Sequence, residues 1–271
     1  MQEQVEDLWK RTLLRARVGT PPHAVTLLLA GEPCGSADPL VAASIAGGVP
    51  GFRLDNGCLE LGREHADAAA RSRKLEEAAR WLLQVGFVSP WRDEALDVRG
   101  LERGDVLARI DRCAVRALGI TTYSVHLNGY FEDGRMVVAR RAANKRVDPG
   151  MWDNLTGGLI SAGESALQAL EREAYEEAGL RTAGRTLTTG SRLRVSRPLA
   201  DGLLCEIVQV FDIELPADTR LSNLDGEVEC FEVRAVPAVL EGIARAEFTV
   251  EASLAVLDSL RRRAGLPPEE L

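Results

Sequence analysis

The sequence lacks the residue patterns that mark three large classes of protein. Its five cysteines are odd in number, widely separated and free of any Cys-x-x-Cys pair, so they indicate neither a disulfide framework nor a zinc site. No basic stripe stands out in a chain whose net charge is −8, which argues against a nucleic-acid scaffold. The longest apolar run, residues 24–30, is far shorter than the roughly 20 residues that span a bilayer.

The N-terminal stretch MQEQVEDLWKRTL also lacks the basic segment, apolar run and cleavage site of a secretory signal. What the sequence does have is an ordinary globular composition, with 45% hydrophobic and 27% charged residues. Its 271 residues suffice for two domains. We therefore expect a soluble, cytoplasmic protein with reduced cysteines and with no membrane or nucleic-acid partner.

Residues 1–118 are predicted to form a small α+β accessory domain. Asn56-Gly57 between alternating apolar positions indicates a β-hairpin, and residues 24–30 predict a buried strand. Amphipathic spacing and stop signals predict helices over residues 3–18, residues 39–46, about Glu64 to Val85, and about Asp105 to Leu118. A domain boundary is expected near Gly119.

Residues 119–271 are predicted to form a second domain of the α/β class. The stretches TTYSVHLNGYF and RMVVARR indicate a β-hairpin, and the loop DPGMWDNLTGG that follows is rich in turn-forming residues. After this loop we expect a helix over about residues 165–178, strands over 192–195 and 203–215, a strand CFEV, and C-terminal helices.

The helix predicted over residues 165–178 carries three glutamates in an unusual arrangement. Glu173, Glu176 and Glu177 fall at positions i, i+3 and i+4, so their carboxylates converge on one face of the helix. They also lie in the last turn, where the helix dipole disfavours acidic side chains, and Glu177 falls within the apolar arc. A solvated acidic face explains this cluster poorly, whereas a divalent cation would neutralise all three carboxylates. The cluster therefore predicts a metal site.

The segment around these glutamates, residues 158–180, resembles the Nudix box, G-x5-E-x7-R-E-U-x-E-E-x-G-U, in which U is aliphatic. Every defined position matches: Gly158, Glu164, Arg172, Glu173, Ala174, Glu176, Glu177, Gly179 and Leu180. The resemblance implies an α/β/α sandwich with a mixed sheet, preceded here by the smaller α+β domain. It further implies that Mg²⁺, or Mn²⁺ in its place, is bound by Glu173, Glu176, Glu177 and the carbonyl of Gly157. Glu164 and Arg172 would pair behind these ligands, and Gly158 and Gly179 would shape the backbone.

A bound Mg²⁺ would suit hydrolysis of a diphosphate linkage. Mg²⁺ prefers octahedral oxygen ligation and keeps waters and substrate phosphates in its shell, where it polarises the attacked phosphorus. A further glutamate can then act as general base toward the attacking water. Glu227, in DGEVECF, is the first candidate and Glu206 the second, although for either residue a surface glutamate beside a strand is an equally good interpretation.

Outside the box, the stretches VHLNGYF, MVVARR, PGMWDNLTGG and DGEVECFEV resemble a Nudix branch that has an extra N-terminal domain and is related to enzymes of thiamine diphosphate metabolism. This resemblance implies hydrolysis of thiamine diphosphate, or of its damaged oxo forms, to the monophosphate and phosphate. A cationic ring of this kind would use aromatic and acidic groups, and the diphosphate would use basic ones. The candidate ring contacts are Trp152, Asp153, Asn154 and His126, and the candidate phosphate contacts are Arg140, Arg141, Lys145 and Arg146. Trp152 and His126 are equally consistent with core positions, and the basic cluster with a solvated hairpin end.

Several alternatives share parts of this pattern. A Nudix hydrolase acting on ADP-ribose, NADH or a dinucleotide carries the same box. The isopentenyl diphosphate isomerase branch is disfavoured because it places a catalytic cysteine before a Gly-His pair, where this chain has Thr156-Gly157-Gly158. A non-catalytic diphosphate-sensing module is disfavoured because all the box glutamates are kept. The apolar helices of the N-terminal domain would also suit a homodimer interface.

Overall fold

The computed structural model describes residues 1–62, 65 and 67–268. The elements of its N-terminal part are α1 (Gln2–Ala16), β1 (Val25–Leu29), β2 (Glu32–Ala37), α2 (Pro39–Gly48), β3 (Phe52–Asp55), β4 (Cys58–Leu61), α3 (Ala68–Gln84), β5 (Ala95–Arg99), β6 (Val106–Asp111) and a 3-10 turn (Arg112–Ala114). Its C-terminal part contains β7 (Thr121–Phe131), β8 (Met136–Arg141), β9 (Trp152–Asp153), β10 (Thr156–Leu159), α4 (Ala166–Ala178), β11 (Leu187–Leu199), β12 (Gly202–Leu215), β13 (Val228–Arg234), α5 (Val236–Ala244) and α6 (Val250–Arg263). No helix in this described part of the chain is long and apolar enough to cross a membrane.

The N-terminal part is built on a four-stranded sheet in the order β2-β1-β4-β3, and one apolar cluster joins this sheet to α2, α3, β5 and β6. The β3–β4 hairpin turns at Asn56 and Gly57, whose φ angles are 47° and 75°. This confirms the hairpin predicted from the Asn-Gly pair. The predicted start of the third helix, Glu64, lies outside the described residues; α3 is described from Ala68, and Asp67 caps it.

The helix predicted over residues 105–118 is wrong. Val106–Asp111 forms a strand that pairs antiparallel with Ala95–Arg99, and only the short 3-10 turn follows it. In the strand pair the backbone N–H and C=O groups bond to the neighbouring strand. In a helix they would bond to residues four positions away. The carboxylate of Asp111 then accepts a hydrogen bond from the backbone N–H of Cys113 at 2.9 Å, which starts the turn.

The C-terminal part is a mixed sheet in the order β11-β12-β7-β8-β13, with β10 paired to β7 and β9 paired to β8. Strands β12 and β7 run parallel, and the other pairs are antiparallel. Helix α4 packs on one face of this sheet, and α1, α5 and α6 pack on the other. The architecture is therefore the predicted α/β/α sandwich with a mixed sheet, accompanied by a smaller α+β part.

The position of helix α1 differs from the one expected if residues 1–118 form a single N-terminal domain. Trp9 is 2% exposed and lies in the same core cluster as α5 and α6. Glu6 accepts a hydrogen bond from Arg261 of α6 at 2.6 Å. By its contacts α1 is part of the C-terminal sandwich, because its apolar face covers α6 rather than the N-terminal sheet. The boundary near Gly119 stays a prediction.

Candidate active site

Helix α4, which carries the predicted metal ligands, is fixed at both ends by its own sequence. Ser165 and Gln168 form a capping box, in which each side chain accepts a hydrogen bond from the backbone N–H of the other residue. Gly179 ends the helix with a left-handed φ of 62°. The apolar face of α4 is buried against the sheet, and this places its acidic face beside Gly157 and Gly158 of β10.

Arg172 organises the loop that precedes α4. Its guanidinium donates two hydrogen bonds to the carboxylate of Glu164 and one to the carbonyl of Leu159, each 3.0 Å long. Glu164 also accepts a hydrogen bond from the backbone N–H of Ser161 at 3.0 Å. Burial acts to raise the pKa of Glu164, but the hydrogen bonds from Arg172 hold that pKa below its usual value. The Arg172–Glu164 pair thus ties the loop to the helix.

Arg172 also holds two of the three glutamates predicted to bind metal. Its Nη1 atom donates to Glu173 at 2.7 Å and to Glu176 at 3.2 Å. The side chain of Glu173 is 13% exposed and that of Glu176 is 45% exposed. Burial raises the pKa of Glu173 and outweighs the opposing effect of Arg172. A positive group therefore lies between these two carboxylates.

The third of these glutamates, Glu177, is buried, as its place within the apolar arc predicts. Its carboxylate accepts hydrogen bonds from Thr156 Oγ1 at 2.6 Å and from the backbone N–H of Gly157 at 3.1 Å. Burial raises the pKa of Glu177 to about 8, although the hydrogen bond from Thr156 lowers it. A neighbouring divalent cation would oppose that rise, because it favours the ionised form.

The two glycines of β10 have no side chains and so leave room for neighbouring side chains of the site. A Cβ atom added at Gly158 would overlap the carboxylate of Glu173, and one added at Gly157 would lie 2.8 Å from the ring of His126. Any side chain at residue 158 would therefore displace a candidate metal ligand.

The candidate ligands suit a hard divalent cation in their chemistry. All are oxygen atoms, which Mg²⁺ and Mn²⁺ prefer, and Gly158 leaves room for them. Within residues 1–62, 65 and 67–268, no three acidic, histidine or cysteine side chains stand in a metal-binding arrangement. Two of the glutamates instead contact Arg172, and Glu177 contacts Thr156. The ligand set stays a prediction.

The two candidate general bases lie in different surroundings. Glu227 is 48% exposed and forms an ion pair with Lys145. Burial acts to raise the pKa of Glu227, but Lys145 holds it below its usual value. Glu206 is buried and accepts a hydrogen bond from Ser124 Oγ at 2.7 Å. Both carboxylates line the cavity into which the acidic face of α4 opens.

Two of the four predicted ring contacts, His126 and Asp153, line this cavity. Trp152 does not: Arg234 lies over its ring, with the guanidinium carbon 3.8 Å from the ring centre. Asn154 is fully buried and hydrogen bonds to the ring of His126 at 2.9 Å. Packing under Arg234 occupies Trp152 and internal hydrogen bonding occupies Asn154, and direct substrate contact stays a prediction for both residues.

The predicted phosphate contacts fall into two groups, one that remains on the cavity wall and one that is displaced or already engaged. Arg140 lies outside the cavity. Arg141 lines the cavity, but its three guanidinium nitrogens donate to two backbone carbonyls and to Asp153. Arg140 is thus set apart from the cavity and Arg141 is already engaged, and direct phosphate contact stays a prediction for both residues. Lys145 and Arg146 remain on the cavity wall.

The cavity has a volume of about 620 Å³ and is enclosed by both parts of the chain. The wall from the N-terminal part was not predicted. Its charged members are Arg92, Glu94, Arg112 and Arg116. No motif marks these residues, and the helix wrongly expected over residues 105–118 would have hidden the turn that presents Arg112.

The N-terminal part also contacts the loop that precedes α4. The backbone N–H of Ala162 donates to the carbonyl of Ala95 in β5 at 2.8 Å. The next N–H along the loop, that of Gly163, donates to the carboxylate of Asp97 at 3.3 Å. Asp97 also accepts hydrogen bonds from two arginines of the β5–β6 pair at 3.2 Å each. The loop that ends at Glu164 is thus anchored on the N-terminal part.

Comparison with known families matches residues 127–248 to the NUDIX domain and residues 22–122 to a domain of unknown function, DUF4743. Two Arabidopsis thaliana proteins, named Nudix hydrolase 20, chloroplastic, and Nudix hydrolase 24, chloroplastic, are 32% and 30% identical over 209 residues. Both alignments cover 73% of this chain, but they cover 54% and 56% of the two relatives, so the chain spans about half the length of these relatives. The crystal structure of DR0079 from Deinococcus radiodurans, at 23% identity, covers 63% of this chain and 98% of its own with a TM-score of 0.49.

Proposed function

The chain contains a Nudix domain and is related to Nudix hydrolases, and from this we propose that it hydrolyses a diphosphate linkage with the help of a divalent cation, Mg²⁺ or Mn²⁺. The observation that carries the proposal is the gathering of acidic side chains of α4 beside Gly157 and Gly158. Carboxylates this close repel one another, and Arg172 offers a single positive charge to two of them. The proposed ligands are Glu173, Glu176, Glu177 and the carbonyl of Gly157.

Each neighbouring side chain has a proposed task. The cation, when bound, polarises the phosphoryl group and lowers the pKa of the attacking water. Arg172 orients Glu173, and Glu164 holds Arg172 in place. Glu227 is the first candidate to take the proton from the water, because its carboxylate is ionised and lines the cavity. Glu206 is the second candidate.

For the substrate we propose thiamine diphosphate, whose thiazolium ring is cationic, or one of its oxo forms. The support comes from the charge of one side of the cavity. Arg197 pairs with Asp148 at 2.8 Å and with Glu251 at 3.3 Å. Burial raises the pKa of Glu251, and the nearby charge of Glu206 adds to this effect. Two carboxylates share this guanidinium and the charge of Glu206 acts on one of them, so a cationic ring would be stabilised on this side of the cavity.

The test is a substrate panel assayed with Mg²⁺, with Mn²⁺ and with EDTA. The panel contains thiamine diphosphate, oxothiamine diphosphate, ADP-ribose and NADH, and the products are followed as phosphate and monophosphates. We expect metal-dependent release of phosphate from the thiamine-type substrates and its loss in EDTA. Faster turnover of a nucleotide would overturn the thiamine-type assignment. Failure to cleave any member would count against these substrates and favour the alternative of a diphosphate-sensing module.

Replacing Gly158 with alanine tests the site itself. Because the added Cβ would displace the carboxylate of Glu173, we expect Gly158→Ala to lower kcat on the order of 10- to 100-fold. The unfolding temperature should change little, since a flexible side chain can move aside. The matched control is Gly47→Ala, where a Cβ atom meets no atom within 4 Å. Equal kcat values for the two variants would contradict the role given to Gly158.

A further inference from the structure

A diphosphate carries several negative charges, and most basic side chains on the C-terminal wall of the cavity are already paired with carboxylates, including that of Arg146, which lies 3.8 Å from Asp201. Arg140 lies outside the cavity, and Arg141 uses its guanidinium to hold Asp153 and the neighbouring backbone. Lys145 lines the cavity, and its ammonium has three N–H donors, of which Glu227 takes one. A second cationic group is needed for the diphosphate oxygens that a metal does not bind.

Arg112 supplies such a group from the N-terminal part of the chain. It lies on the 3-10 turn after β6 and lines the same cavity as Lys145. Its Nη1 atom donates to Glu94 at 2.8 Å, and within the part of the chain that the structure describes its guanidinium makes no other hydrogen bond. The side chain is 48% exposed. Most of its five N–H donors are therefore available to a ligand in the cavity.

The carboxylate of Glu227 shows where an anion is stable between the two walls. It pairs directly with Lys145. Burial acts to raise the pKa of Glu227, but the positive charges of Lys145, Arg112 and Arg141 together lower it. In the same way, burial acts to lower the pKa of Arg112, while the negative charges of Glu94 and Glu227 raise it. Positive charges from both parts of the chain thus act on one anionic group that lines the cavity.

We propose that Arg112 and Lys145 together bind the oxygens of the substrate diphosphate that the metal does not bind, so that the N-terminal part of the chain forms one side of the substrate site. This inference rests on the proposed diphosphate hydrolysis. The incoming diphosphate takes the place of the Glu227 carboxylate beside Lys145. That exchange releases Glu227 from its ion pair in the substrate complex, where it is the first candidate for general base.

The test measures binding of methylene diphosphonate, a diphosphate analogue that cannot be hydrolysed, by isothermal titration calorimetry with Mg²⁺ present. We expect Arg112→Gln and Lys145→Gln each to raise the Kd about tenfold or more, because each removes a charge-assisted hydrogen bond. Arg112→Lys should restore part of the affinity, since it keeps the charge but not the planar fork. The control is Arg103→Gln, on an exposed arginine of the same part of the chain that lies outside the cavity.

Steady-state kinetics supply the second measurement, with the best substrate of the panel. Arg112→Gln should raise KM more than it lowers kcat and should leave the unfolding temperature unchanged, because an exposed ion pair adds little stability. Equal Kd values for wild type and Arg112→Gln, or a wild type that does not bind the analogue, would overturn the inference. If the analogue binds through Arg112 while no diphosphate is hydrolysed, the hydrolase proposal fails and this inference stands.

Discussion

Replacing Glu177 with glutamine is expected to lower metal-dependent hydrolysis at least about a hundredfold. Glutamine has the same size and can still accept the hydrogen bonds from Thr156 and Gly157, but it brings no negative charge to a cation. Burial raises the pKa of Glu177 to about 8, so without metal this carboxyl group is largely neutral at pH 7. Exchange for a neutral amide should therefore preserve the fold while it removes a ligand.

The control for this variant is Glu171→Gln, which removes a carboxylate from an exposed position of the same helix. We expect Glu171→Gln to keep wild-type turnover and both variants to unfold, in the absence of metal, within a few degrees of the wild type. The measurement is phosphate release across a Mg²⁺ titration, together with thermal unfolding followed by circular dichroism. Wild-type kcat for Glu177→Gln at saturating Mg²⁺ would remove Glu177 from the proposed mechanism.

Among these variants, Trp9→Ala should lower the free energy of unfolding most. The side chain of Trp9 is fully enclosed by the core that α1 shares with α5 and α6, and Arg261 lies over its ring at 4.7 Å. Truncation leaves a cavity and removes this contact, so the free energy of unfolding should fall by about 3–5 kcal/mol. Urea unfolding followed by circular dichroism gives this value.

Leu14→Ala is the matched control, since Leu14 lies on the same helix and is 79% exposed. Its effect should stay within about 0.5 kcal/mol. A fragment that starts at residue 119 would lack α1 altogether, and we expect it to aggregate because the apolar surface of α6 is uncovered. A loss below about 1 kcal/mol for Trp9→Ala would show that α1 does not stabilise the sandwich.

The sequence predicts those elements of the fold whose conformation is set by residues close to them along the chain. The turn at Asn56-Gly57 and the start of α4 after Ser165 are set by backbone and side-chain preferences within a few residues, and the hairpin and the helix over about residues 165–178 are both predicted from the sequence. Strand β6 was mistaken for a helix because its pairing with β5 is not visible in its own spacing. Strand β2 was missed because it contains Pro33 and Gly35, which are poor strand formers and are tolerated here at a sheet edge.

In the candidate site, too, residues close together along the chain can be predicted from the sequence, whereas contacts between distant segments cannot. Spacing along one helix brings Glu173 and Glu176 to the same guanidinium, so a local pattern was sufficient to find them. Contacts across the cavity could not be found in this way. Motif position suggested Trp152, which packs elsewhere, and gave no sign of Arg112, which reaches the cavity only through the folding of the N-terminal part.

The hydrogen bonds of Ala162 to Ala95 and of Gly163 to Asp97 connect the loop before α4 to strand β5 of the N-terminal part. The strand that supports the loop belongs to the same part of the chain as the wall that carries Arg112. A ligand too large for the space between the walls would push that strand outward and draw Glu164 with it. The N-terminal part would then restrict the size of the substrate, because a badly fitting molecule would disturb Arg172 and the glutamates that Arg172 orients.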